Sequence, residues 1–194
     1  NELNNLKKII GDNFSYLDID LSQNLNSETI QKKILSNIEK ETVEEIILIN
    51  NASTINPIDR INKLNDENIY KLFNLNIVAA YILSKIVINI SSEISCKTSI
   101  INISSGVSKK PIEGWSLYCS SKAALNMLTE TLSVEYNNEN FYTISINPGA
   151  LDTNMQKQIR KTDAETSPIS EVFRDMKANK QLKDPKDVAK QIKD

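Results

Sequence analysis

The sequence predicts an α/β fold built on a doubly wound parallel sheet with three layers. Segments rich in β-branched residues alternate along the chain with amphipathic segments of helical periodicity. The apolar runs EEIILIN (44–50) and TSIINIS (98–104) also end abruptly in polar residues, which is typical of buried parallel strands. Right-handed crossovers between such strands place helices on both faces of the sheet.

The elements follow one another in a regular order. Apolar residues at helical spacing within residues 3–10 predict the tail of a helix that stops at Gly11. The remaining predicted elements are a strand at 14–21, a helix at 28–41, a strand at 44–50, a helix at 66–91, a strand at 98–104, a helix at 117–136 and a strand at 142–148.

The composition indicates a single domain over residues 1–194, in a cytoplasmic protein. The chain is 40% hydrophobic and 25% charged, with a net charge of −2. Lysine and arginine are scattered among acids, so no nucleic-acid partner is expected. The longest apolar run is well short of the roughly 18 to 20 residues that cross a membrane, and no signal peptide opens the chain.

Two residue types limit the chemistry. The chain has only two cysteines, Cys96 and Cys119, which we interpret as reduced thiols rather than a disulfide framework. Histidine is absent, which excludes histidine-based triads and most zinc hydrolase schemes, and no metal is expected. The chemistry must therefore use hydroxyls, lysine and acids.

One constellation predicts a site for carbonyl reduction. The strand ending in SSG brings Ser105 to its carboxyl end, where ligands of open α/β sheets bind. Tyr118 and Lys122 lie one helical turn apart, and an ammonium there is expected to favour the phenolate of the tyrosine. Tyr118 then gives a proton to a substrate oxygen that Ser105 holds, as hydride reaches the carbon. The tyrosine and lysine pair alone is weak evidence, because this spacing also arises by chance.

Two further motifs strengthen the interpretation. LINNAS (48–53) ends a strand with asparagines and small residues that let a flat ligand approach the backbone. SINPGALDTNM (145–155) ends another strand with a Pro-Gly turn. Each alone is also typical of an ordinary loop, but the combination in this order is hard to obtain by accident.

Taken together, NNA, Asn76, ISSG, YxxxK and NPGxLxT resemble the short-chain dehydrogenase/reductase family along nearly the whole chain. The resemblance implies a Rossmann-type sheet and a catalytic tetrad of Asn76, Ser105, Tyr118 and Lys122. In it Tyr118 is the acid/base, Ser105 orients the carbonyl, Lys122 lowers the tyrosine pKa and holds the nicotinamide ribose, and Asn76 positions a water that relays protons. Asn74 is the alternative to Asn76.

Within that family, GWSLYCSSKAALNML and PGALDTNMQKQIRKT resemble most closely the sepiapterin reductases and the bacterial enzymes that reduce diketones such as benzil. NADP(H) as cofactor follows from this resemblance alone. The implied cofactor-binding residues are Asp20, Leu21, Asn50, Asn51, Ala52, Tyr118, Lys122, Pro148, Gly149, Leu151 and Thr153. The implied substrate-binding residues are Ser105, Trp115, Tyr118 and Met155. Residues 152–181 resemble the family's substrate lid, although a plain surface helix also fits.

The chain departs from the family in two places. It has 4 glycines and none in a glycine-rich turn for the cofactor pyrophosphate, so we expect the sequence to lack the first strand, the first helix and the second strand. The strand at 14–21 would then have no neighbour. Ser53 follows NNA where the family has glycine, and its side chain is expected to crowd the cofactor or to require a different turn.

Three functions fit these observations. The first is NADPH-dependent reduction of sepiapterin or of a 1,2-diketone, with Trp115 as an aromatic wall for a flat substrate. The second is reduction of 3-oxoacyl groups on a carrier protein by the same tetrad. The third is a binding or regulatory protein on this fold whose chemistry has lapsed. The resemblance also implies a homodimer or homotetramer, formed through the helices at 66–91 and 117–136.

Overall fold

The computed structural model describes residues 14–39 and 42–193 and has an α/β fold around a parallel sheet. In the described part of the chain the sheet has three strands in the order β1, β2, β3. They span Glu45–Asn50, Lys97–Ile103 and Phe141–Ile146. The strands predicted at 44–50, 98–104 and 142–148 are confirmed with small shifts at their ends.

Helices precede, separate and follow these strands. They are α1 (Ser27–Leu35), α2 (Asp66–Phe73), α3 (Ala79–Ile94), α4 (Ser116–Glu135), α5 (Asn154–Lys161), α6 (Ile169–Ala178) and α7 (Pro185–Lys193). A π-helical segment, Asn74–Val78, joins α2 to α3, so the single helix predicted at 66–91 is observed with a wider turn in its middle. The helix predicted at 117–136 is α4.

Two predicted elements differ from the structure. The helix predicted at 28–41 ends at Leu35, because the side chains of Ser36 and Asn37 both donate to the carbonyl of Lys33 and compete with further helical turns. The strand predicted at 14–21 is wrong: residues 14–20 have no regular secondary structure. Within the described residues β1 pairs with β2 alone, so this segment has no neighbour with which to exchange backbone hydrogen bonds. The predicted helix tail at 3–10 lies outside the described residues.

The main core lies between the sheet and the helices α3 and α4. It is formed by Ala80, Ile100, Leu125, Leu128 and Leu132, all nearly inaccessible to solvent. A second cluster packs α1 onto the outer side of α3. The opposite face of the sheet is more open, and its exposed apolar side chains are Ile47, Ile49, Tyr142 and Ile144. The described helices α3 and α4 therefore cover one face of the sheet.

The stretch Asp66–Ile94 has the length and apolar composition of a membrane-spanning helix. A single helix of this kind is weak evidence of a membrane span, because core helices have the same character. In the structure Ala79, Ile86 and Ile90 within it are buried. Because α3 packs against both β1 and β2, a core helix accounts for the same apolar character.

The parallel direction of the strands brings their carboxyl ends to one edge of the sheet. Polar side chains link the ends of β1 and β2 to α4 there: Asn50 Nδ2 donates to Asn102 Oδ1 at 2.8 Å, and Asn102 Nδ2 donates to Thr129 Oγ1 at 2.8 Å. Buried amides satisfied in this way fix the positions of the strands. The loops that leave this edge carry the candidate site.

Candidate active site

A cavity of ≈ 660 Å³ opens at the carboxyl edge of the sheet. It is formed by the loops that follow β1, β2 and β3, by the start of α4 and by the helices α5 and α6. This volume lies within the range of pockets that take cofactors and small substrates. Predicted site residues that line it are Asn51, Ser105, Trp115, Tyr118, Lys122, Pro148, Gly149, Leu151, Thr153 and Met155.

Tyr118 and Ser105 form the polar centre of this cavity. Tyr118 lies in the first turn of α4 and is 8% exposed. Burial raises the pKa of its phenol above the usual value, and a hydrogen bond with the Ser105 side chain acts in the opposite direction. The backbone of Ser105 is extended at the end of β2, and its Oγ accepts from the Val107 N–H at 3.4 Å. At neutral pH Tyr118 therefore keeps its proton and is a hydrogen-bond donor.

Lys122 lies one turn further along α4 and is 3% exposed. Its Nζ donates to the carbonyl oxygen of Ile103 at 2.8 Å and lies 5.6 Å from the centroid of the Tyr118 ring. Burial lowers the pKa of Lys122 to about 8. In this structure the ammonium donates to the backbone of β2 and burial is the largest influence on the phenol, and the expectation that Lys122 lowers the pKa of Tyr118 stays a prediction.

Asn76 lies in the π-helical segment and is 3% exposed. Its Oδ1 accepts from the Thr54 N–H at 2.8 Å, and its Nδ2 donates to the Thr54 carbonyl at 2.8 Å and to Ser121 Oγ at 3.0 Å. The amide thus ties the loop after β1 to α4, the helix that carries Tyr118. Asn74, the alternative, donates instead to the carbonyl of Ser22 at 3.0 Å.

A second cavity of ≈ 50 Å³ lies beside the first, with room for water molecules only. Asn51 and Lys122 are shared, since each lines the large and the small cavity. Further predicted residues on the small cavity are Leu21, Asn50, Ala52 and Asn76. Asp20 lines neither cavity, and its carboxylate accepts from the N–H and the hydroxyl of Ser22, which hold its pKa below the usual value.

Aromatic side chains form one wall of the large cavity. The Trp115 ring stacks on Phe173 of α6, with centroids 6.0 Å apart and an interplanar angle of 8°, and meets Tyr118 edge-on at 6.0 Å. Trp115 Nε1 donates to Ser167 Oγ at 2.9 Å. Residues 152–181 contribute two helices, α5 and α6, whose side chains line the cavity, and their role as a substrate lid stays a prediction.

Sequence reasoning missed three residues of this wall: Ile112, Ser167 and Phe173. Ser167 is fully buried and Phe173 lines the cavity with Ile112. The apolar positions Ile169 and Phe173, four apart, were the available signal for a helix with one buried face. That spacing does not identify Trp115 as the stacking partner of Phe173, because the two residues are far apart in the sequence.

The chain is similar to known proteins in sequence and in fold. A family model described as short chain dehydrogenase matches residues 1–164. The benzil reductase ((S)-benzoin forming) of Bacillus cereus is 35% identical over 194 residues, which is 99% of this chain and 78% of that protein. Sepiapterin reductase of Rattus norvegicus is 34% identical over 71% of this chain and 55% of its own length. The crystal structure of the KRED1-Pglu enzyme superimposes with a TM-score of 0.80 at 28% identity, covering 96% of this chain and 75% of that one.

Proposed function

Because the chain belongs to the short-chain dehydrogenase/reductase family, we propose that it reduces a carbonyl group to an alcohol with NADPH. The substrates would be of the sepiapterin or 1,2-diketone type. The observation that carries the proposal is the convergence of Ser105, Tyr118 and Lys122 on one cavity with an aromatic wall. Benzil and sepiapterin reductases among the relatives support the reaction class.

The residues around the cavity fit a nicotinamide cofactor, of which NADP is the form we propose. Bound there, the cofactor would supply the hydride. Thr153 caps the N-terminus of α5 and lines the cavity, so the backbone amides and helix dipole there suit a phosphate. Gly149 lines the cavity in the Pro-Gly turn with φ +81, a backbone conformation that favours glycine. Asn51 and Lys122 would contact the ribose side.

The chain's own groups would handle the proton and the substrate oxygen. Tyr118, whose raised pKa keeps it protonated, donates its phenolic proton to the carbonyl oxygen as the carbon accepts hydride. Ser105 holds the same oxygen by a hydrogen bond. The Tyr118 oxyanion that remains is then stabilised by Lys122, whose pKa of about 8 lets it return a proton near neutral pH.

The wall around Trp115 favours a flat, rigid substrate. Stacked Trp115 and Phe173 offer planar contact, and the Ser105 and Tyr118 pair can polarise only one of two adjacent carbonyl oxygens. An acyl group on a carrier protein would need basic charge at the cavity mouth. Arg160 and Lys177 share the single carboxylate of Asp152, which offsets one of their two positive charges.

The proposal is tested by steady-state kinetics with NADPH, following the loss of its absorbance. We expect kcat/KM for sepiapterin or benzil to exceed that for an acetoacetyl thioester at least about tenfold. Running the same substrates with NADH tests the cofactor. A preference for the thioester would replace the substrate class with 3-oxoacyl reduction, and no turnover of any carbonyl despite cofactor binding would favour a lapsed enzyme.

We further propose that the protein is a cytoplasmic homodimer or homotetramer. The helices that the family resemblance assigns to subunit contacts carry large apolar side chains on their solvent-facing sides. Those most exposed are Tyr70, Tyr81, Met127 and Val134.

A further inference from the structure

Ser167 holds the indole of Trp115 from behind the cavity wall. It lies just before α6, is fully buried and does not itself line the large cavity. Its Oγ accepts from Trp115 Nε1 at 2.9 Å and donates to the Glu113 carbonyl oxygen at 3.3 Å. The bond to Glu113 takes up the hydroxyl proton and leaves the lone pairs for the indole N–H, which can only donate. Ser167 is therefore a preorganised acceptor for Trp115.

The orientation of the Trp115 ring is fixed on three sides. Its face stacks on Phe173, its ring meets Tyr118 edge-on, and its Nε1 is bonded to Ser167. A ring turned over by half a turn would keep much of its apolar contact, but its N–H would be unpaired in a site that is 3% exposed. That costs about 1 to 3 kcal/mol, and neighbours in the cluster such as Ile159 are apolar and offer no acceptor. The Ser167 hydroxyl thus selects one orientation of the ring.

We propose that Ser167 is a positioning residue for substrate specificity, an inference that rests on the proposed function. By holding Trp115 in one orientation, its hydroxyl favours carbonyl substrates with aromatic rings over small aliphatic ones. A planar aromatic group gains most from a wall that is already in place. A small aliphatic diketone makes little contact with that wall and depends mainly on Ser105 and Tyr118. Loss of the Ser167 hydroxyl should therefore weaken binding of the aromatic substrate and leave proton transfer unchanged.

The test compares benzil with diacetyl, an aliphatic diketone, in steady-state kinetics with NADPH. Ser167→Ala removes the acceptor at almost the same volume. The ratio of kcat/KM for benzil to that for diacetyl should fall about fivefold, the loss of one hydrogen bond, through a higher KM for benzil. Values of kcat for diacetyl should stay within about twofold of wild type.

Ser170→Ala is the matched control. Ser170 lies three residues further along and is also fully buried, but its hydroxyl accepts from Arg174 Nη2 at 3.2 Å instead of from the indole. Its removal should leave the substrate ratio unchanged. Ser167→Cys, which has a weak sulfur acceptor of similar size, should lower the ratio in the same direction as Ser167→Ala.

A double-mutant cycle tests whether Ser167 acts through the indole. Trp115→Phe keeps an aromatic ring in the wall but has no N–H, so adding Ser167→Ala to it should leave the substrate ratio unchanged. A further fivefold fall in that background would show that Ser167 acts through the fold and would overturn the inference.

A spectroscopic measurement completes the test. Trp115 is the chain's only tryptophan and lines the cavity, so its fluorescence reports on this ring and on ligands bound beside it. Anisotropy decay should show faster ring motion in Ser167→Ala than in wild type or Ser170→Ala. Unchanged ring motion, or a substrate ratio that Ser167→Ala leaves at the wild-type value, would overturn the inference alone. Wild-type protein that reduces neither diketone would refute the proposed function and the specificity role with it.

Discussion

The amide of Asn76 is predicted to stabilise the fold as a structural clamp, which joins the loop after β1 to α4, as well as to be part of the site. Asn76→Ala measures the contribution of this clamp to stability. The substitution removes three hydrogen bonds, two at 2.8 Å to the backbone of Thr54 and one at 3.0 Å to Ser121. At about 1 kcal/mol each, the free energy of unfolding should fall by about 3 kcal/mol. In a protein of this size that lowers Tm by roughly 6 to 12 °C.

Asn74→Ala provides a control of the same residue type in the same segment. It removes a single hydrogen bond, at 3.0 Å to the carbonyl of Ser22, and should cost about 1 kcal/mol. Urea unfolding followed by circular dichroism gives both values with comparable m-values. If Asn76→Ala is no less stable than Asn74→Ala, the clamp is refuted. If Asn76→Ala loses turnover but keeps the stability of the wild type, the role of Asn76 is proton relay alone.

Three further predictions concern the turn at Gly114, the buried lysine and assembly. Gly114→Ala should destabilise the protein by about 1 to 3 kcal/mol, because Gly114 has φ +79 and an added Cβ would lie 2.7 Å from the Thr166 carbonyl oxygen. Gly106→Ala is the control, since its Cβ would meet only the Asn147 side chain at 3.3 Å. Equal free energies of unfolding for the two variants would contradict the prediction. The pKa of Lys122 is about 8 in the folded protein against 10.5 for the free side chain, so its charged form opposes folding below pH 8 and that cost disappears as the pH rises to 10.5. The difference in free energy of unfolding between wild type and Lys122→Met should therefore rise by up to about 3 kcal/mol between pH 7 and 10. If this difference does not change with pH, the lysine is not desolvated. Sedimentation at micromolar concentration should show a dimer or tetramer; a monomer would contradict the assembly.

The strands and the polar centre of the site were predictable because their signals are local. A β-branched run that ends in polar residues identifies β2 without knowledge of its neighbours, and the four-residue spacing of Tyr118 and Lys122 fixes their common face on α4. The order of the motifs then placed Ser105 and Asn51 at the same edge of the sheet.

What the sequence could not predict depends on contacts between distant residues. The segment at 14–21 is the exception, because the sequence already indicated that it would have no neighbouring strand, and its backbone is irregular. The partner of Lys122 is a backbone carbonyl of β2, so its hydrogen bond leaves no sequence signal. The stacking of Phe173 on Trp115 likewise joins two segments that sequence periodicity treats separately.

The central claim is that Tyr118 donates the proton in carbonyl reduction, and Tyr118→Phe tests it most directly. The substitution keeps the ring that contacts Trp115 and removes only the phenolic hydroxyl, the source of the proton. Trp115 fluorescence should show NADPH binding within about twofold of wild type, while turnover of sepiapterin or benzil falls at least about 10²-fold. Tyr136→Phe, at a tyrosine that packs on Phe141 outside the cavity, should retain full activity. Turnover of Tyr118→Phe close to that of Tyr136→Phe would contradict the assignment of Tyr118 as the acid.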